Sequence, residues 1–96
     1  MRLELTILIN RRPTVTYFLF PELGTAFKKF RGSDDEVEEV SYVAAFQFCR
    51  RMVKIARGNG GKVRVRGNFL RYLEQVERQD DMLRKLKREG RIVLMG

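Results

Sequence analysis

Lys62, Arg64 and Arg66 occupy every second position of GGKVRVRGN (residues 60–68), with Val63 and Val65 between them. In an extended chain that period puts three cations on one face and two small apolar side chains on the other. Such a row can neutralise an anion, and arginine's planar fork suits phosphate better than a point charge does. A second set, Arg50, Lys54 and Arg57, has helical spacing, and Arg71 stands a little beyond the first set. Few acids accompany these residues. Like charges held together oppose folding, so an anionic partner is a physical reason for keeping them. Tyr17, expected on the same open sheet face as the strand cations, would supply a stacking platform for a base.

Charge distribution supports this reading. The formal net charge is +8 over 96 residues. Residues 1–49 carry six Lys or Arg against seven Asp or Glu, and residues 50–96 carry fourteen against five, so the excess belongs to the second half. Such asymmetry points to nucleic acid, DNA or RNA, or to an acidic protein surface.

The catalytic inventory is poor. There is no histidine, and one cysteine, Cys49, makes no zinc site and no internal disulfide. Cys49 sits in an apolar helical run and reads as a buried, inert thiol. Ser33 and Ser41 have no histidine partner, and the adjacent pairs Asp34–Asp35 and Asp80–Asp81 fit helix starts and i,i+4 pairing. GNGGK (58–62) follows a helical pattern and precedes a strand, the reverse of a phosphate-binding loop's context. RGNFLRY (66–72) lacks the glycine–aromatic order of RNA-recognition strands, because Leu70 and Tyr72 break it. We therefore expect no enzyme, no cofactor and no metal. A small ribonuclease using Arg, Lys, Tyr and Glu is the enzymatic alternative.

These residues need elements to hold them. Leu3, Leu5, Ile7 and Ile9 alternate along a first strand, Asn10 to Pro13 have turn chemistry, and Thr14 to Phe20 form a second strand. Pairing Ile9 with Thr14 and Leu5 with Phe18 sends Phe18 and Phe20 to the core. It leaves Leu8, Val15, Tyr17 and Leu19 on a mixed outer face. Pro21 to Gly32 allows a short helix through Leu23, Phe27 and Phe30, against which Gly24 argues. SDDE (33–36) is a capping box opening a helix to Arg57, with Gly58 ending it. Its second apolar stripe includes Tyr42, Phe46, Cys49 and Val53, and must be covered by the second helix or another subunit. GNGG turns the chain into a strand over residues 62–66 whose valines face inward. Asn68 caps a second helix from Phe69 to Glu89, Gly90 ends it, and RIVLM (91–95) reads as a buried strand.

The expected order is ββαβαβ in one domain spanning residues 1–96. It is an α+β fold with one mainly antiparallel or mixed sheet and two helices packed on one face. Such a chain is expected to be a small basic nucleic-acid-binding protein of low sequence specificity, in the cytoplasm, acting through Lys62, Arg64, Arg66, Arg50, Lys54, Arg57, Arg71 and Tyr17. The alternative is a protein-interaction module, as an adaptor or inhibitor docking an acidic surface. A homodimer would use Tyr42, Phe46, Val53, Leu8, Val15 and Leu19. No signal peptide order and no membrane-length apolar run is evident.

Overall fold

The computed structural model describes residues 1–32 and 36–90. It is an α+β domain with five strands and two helices in the order ββββαβα. Strands β1 (Leu3–Ile9), β2 (Arg12–Phe20), β3 (Thr25–Phe30) and β4 (Val37–Ser41) precede α1 (Tyr42–Gly58), β5 (Val63–Arg66) and α2 (Phe69–Arg88). The sheet runs β4-β3-β2-β1-β5, and every neighbouring pair is antiparallel. The α+β class and the packing of both helices on one face agree with expectation. The order of elements along the chain does not, ββαβαβ being expected.

Two elements differ from the sequence reading. Thr25–Phe30 is a strand rather than a short helix, because Phe27, Phe30 and Thr25 suit a pleated surface and Gly24, at φ 63°, turns the chain into it. Val37–Ser41, assigned to the first helix by the capping box, instead pairs with β3 as an edge strand. The helix begins at Tyr42, eight residues later than the capping box implies. Ser41 is its N-cap, and the Ser41 hydroxyl accepts the Ala44 N–H at 3.4 Å. SDD of the capping box and the expected strand RIVLM lie outside the described residues.

The β1–β2 hairpin decides which side chains face the core. Its loop is two residues, Asn10 and Arg11, both at positive φ (51° and 66°), and Ile9 pairs with Arg12. Positive φ at both loop positions is the twist-matched geometry for such hairpins, and Asn tolerates it. The register then shifts: Leu8 pairs with Pro13 but Ile7 with Val15, so Thr14 is extra. Pro13 has no N–H to give the ladder, and the Thr14 hydroxyl donates to the Ile7 carbonyl at 3.0 Å. Beyond this bulge Leu5 faces Tyr17 and Leu3 faces Leu19. A one-residue slip exchanges the two faces of a strand. Val15, Tyr17 and Leu19 therefore point to the helices, and Thr16, Phe18 and Phe20 point away, opposite to expectation.

The core is Leu3, Leu5, Ile7, Leu19 and Ala26 from the sheet, Ala45, Cys49 and Val53 from α1, and Phe69 and Leu73 from α2. Spacing of four residues puts the three α1 members on one line. Phe46 packs edge-on against Phe69 at 5.4 Å and Tyr72 at 6.5 Å, so α2 covers the second stripe of α1. Five of the six candidate dimer residues, Tyr42, Phe46, Val53, Val15 and Leu19, thus pack within their own chain. Only Leu8 keeps its expected outward place, opposite Arg64.

Candidate nucleic-acid interface

β5 is held to β1 by an unusual closure. Thr6 pairs with Arg66 and Leu8 with Arg64, while Ile7 and Ile9 pair with Val65 and Val63. The valines face the core, as the alternation requires. Past Arg66 the chain lies flat on β1: Gly67 has φ 121°, and a Cβ there would overlap the Glu4 carbonyl. Asn68 then uses its side chain as a strand would use its backbone. Its Oδ1 accepts the Glu4 N–H at 2.6 Å and its Nδ2 donates to the Arg2 carbonyl at 2.9 Å. Asn68 stands at the N-cap of α2 without a capping hydrogen bond, contrary to expectation, because its amide is engaged by β1.

On the side of the sheet away from both helices, the ladders align side chains in transverse rows. One row runs Arg66, Thr6, Thr16, Lys29, Val37. Two hydroxyls hydrogen-bonded at 2.9 Å stand between its two cations, which at the usual strand spacing are about 14 Å apart. The next row runs Glu4, Phe18, Phe27, Glu39. Phe20 meets Phe27 edge-on at 6.0 Å, and the Arg2 guanidinium stands over the Phe18 ring at 5.8 Å. Arg2 also reaches the Glu4 carboxylate at 3.6 Å, offsetting one of the two acids of this row. A shallow cavity of about 470 Å³ lies along the rows, lined by Glu4, Thr16, Phe18, Lys29, Arg31 and Arg66 among others. Aromatic faces beside cations suit stacked bases and phosphates.

The remaining candidates are elsewhere. Arg50 and Lys54, with Gln47 and Arg51, line a shallow hollow on the solvent side of α1, across the helix from Cys49 and Val53. They do not share a surface with Arg66, because the helix layer and the sheet lie between them. Arg57 and Arg64 both line a cavity at the β5 edge, with Val53, Leu70 and Glu74. The Arg64 guanidinium lies back over the Gly61 turn. Lys62 stands on the bend before β5, where its N–H donates to the Asn59 carbonyl. Arg71 is exposed in the first turns of α2.

Tyr17 is displaced from the open face by the Thr14 bulge. Its ring packs against Phe48 at 5.2 Å, and burial, then Cys49 and Glu38, hold its phenol above the ordinary tyrosine range. Phe18, Phe27 and Lys29 take the place it was expected to fill. Cys49 is buried, as expected, and burial likewise pushes its thiol up to about 12. Among the described residues no three potential metal ligands converge, and no helix is long and apolar enough to cross a membrane. No protein-family model, curated protein or solved structure matches the chain.

Proposed function

We propose that the chain is a small, non-enzymatic cytoplasmic protein that binds single-stranded nucleic acid with low sequence specificity on the bare face of its sheet. One observation carries this reading: the Phe18–Phe27 row lies directly beside the row that begins at Arg66. Bases splayed from a single strand would stack on the rings while Arg66, Lys29 and Arg31 draw the phosphates. A flat face offers nothing to enter the groove of a duplex. Contacts of this kind position a strand without reading it, hence the low specificity. The lone buried thiol suits a reducing compartment.

The test is fluorescence anisotropy with a labelled, mixed-sequence oligonucleotide, single- and double-stranded, DNA and RNA, at low and moderate salt. Binding should favour single strands and fall steeply with salt. Failure to bind any of the four at low salt would remove the proposal.

A second reading draws on Arg50, Arg51 and Lys54, exposed together on α1 away from the sheet. That patch suits docking of an acidic protein surface. Loss of an acidic partner on Arg50→Glu with unchanged oligonucleotide binding would assign the two surfaces to separate tasks.

A further inference from the structure

The apolar stripe of α2 runs further than the domain that covers it. Among the described residues, core packing on this helix ends at Leu73, yet Val76, Leu83 and Leu86 continue the same side. From Arg78 to Arg88 every residue but Leu86 is exposed, with Met82 at 60% and Leu83 at 54%. Along one flank of the stripe stand Glu77, Asp80, Arg84 and Lys87, spaced 3, 4 and 3 residues apart, acids first and bases after. Among the described residues none of these four lies within 4 Å of an opposite charge.

We infer that two copies of the chain pair through α2, antiparallel and about a two-fold axis near Met82. Charge order selects this occupant and this direction. Side by side in parallel, acid would oppose acid and base would oppose base. Reversed, Glu77 faces Lys87 of the other copy and Asp80 faces its Arg84. The same overlay sets Leu83 of each copy one residue from the axis, so the two Leu83 positions lie about 3 Å apart along the helix pair at 1.5 Å per residue. A self-complementary patch of this kind closes a dimer and leaves nothing to propagate. The pairing places the two domain bodies at opposite ends of the helix pair, clear of each other. It is independent of what the sheet binds.

Sedimentation equilibrium on the full chain, at several concentrations and two salt levels, should show a dimer that weakens with salt. A monomer throughout the range would overturn the inference. Leu83→Glu should give a monomer with an unchanged far-ultraviolet spectrum, and an undiminished dimer would overturn it. The pair Glu77→Lys/Asp80→Lys and the pair Arg84→Glu/Lys87→Glu should each abolish self-association. Mixed one to one they should form a heterodimer, which a merely misfolded variant would not do, and failure of the mixture would refute the charge pairing. Direction is read by cysteine cross-linking: Met82→Cys should link under oxidation. Gln75→Cys should not, since its counterpart in the other copy is about 21 Å away along the axis at 1.5 Å per residue. Linking at both positions would mean parallel helices.

Discussion

Gly67 and Glu4 meet main chain to main chain: with φ at 121°, Gly67 lies so near β1 that an added Cβ would overlap the Glu4 carbonyl. Strand β5, and with it Arg66, is therefore positioned by this backbone contact as well as by the packing of Val63 and Val65 on the core. Gly67→Ala must move β5 off β1 or strain the turn, and we expect a loss above about 2 kcal/mol. Gly60 also has positive φ, at 59°, but opens on free space, so Gly60→Ala should cost only about 1 kcal/mol. Urea denaturation compares the two. Equal losses would show that close approach is not what fixes β5.

Arg66 and Arg50 separate the sheet face from the helix face. Arg66→Ala should weaken binding of a single strand and lower the salt slope by roughly the contribution of one phosphate contact, a change of about 0.7 in log K against log salt. Arg50→Ala should leave both unchanged. Phe18→Ala should cost about 1–3 kcal/mol of binding with the salt slope preserved, because a stacking contact releases no counterion. Titrations at four salt concentrations read slope and affinity together, and a slope change from Phe18→Ala would contradict the assignment.

Cys49 gives a pH signature. Its folded-state value is raised to about 12 by burial, while the unfolded thiol ionises near 9. The folded protein thus holds this proton more tightly. The stability linked to it is complete below about pH 9 and is lost as pH climbs towards 12, at up to about 1.4 kcal/mol per unit. Cys49→Ala should flatten that part of the stability–pH curve although it lowers stability at pH 7. In the native state the thiol should resist alkylation at pH 8 and react once urea unfolds the chain.

Arg11 is a bulky residue at φ 66° in a two-residue loop. Arg11→Gly should remove that strain and stabilise the protein by about 1 kcal/mol. Thermal melting checks the sign; a loss would mean that the Arg11 side chain makes a compensating contact.

Much of the architecture was legible in the residues. Alternation announced β1, the valines of β5 and the inward face of each. Glycine marked the ends of α1 and α2, and the apolar run around Cys49 announced the helix that crosses the sheet. What misled was local chemistry competing with pairing across the sheet. SDDE resembles a helix start, yet Val37–Ser41 found a partner in β3, and no window centred on those residues contains Phe27 or Lys28. At the hairpin, the period-two pattern of Thr14–Phe20 fits either face equally, since Thr16, Phe18 and Phe20 are balanced by Val15, Tyr17 and Leu19. Only the turn decides. Asn10 with Pro13 three residues later carried a signal: a short loop at positive φ followed by a residue that leaves a gap in the ladder. Given that, Phe18 and Phe27 would have been read as the surface aromatics and Tyr17 as core. The division of the cations between two sides was partly visible, since a helical set and a strand set on a two-layer fold share at most an edge.

The extra residue at Thr14 works like a misprint in a zip: every tooth beyond it engages from the opposite side. Shortening the hairpin by that single position would swap the wet and dry linings of β2, hiding its three phenylalanine-and-threonine teeth under the helices and pushing a tyrosine and two aliphatics into water. What the domain offers to the outside is thus written in the count of residues as much as in their kind, and a length change there would rewrite the whole surface while leaving the outline of the fold recognisable.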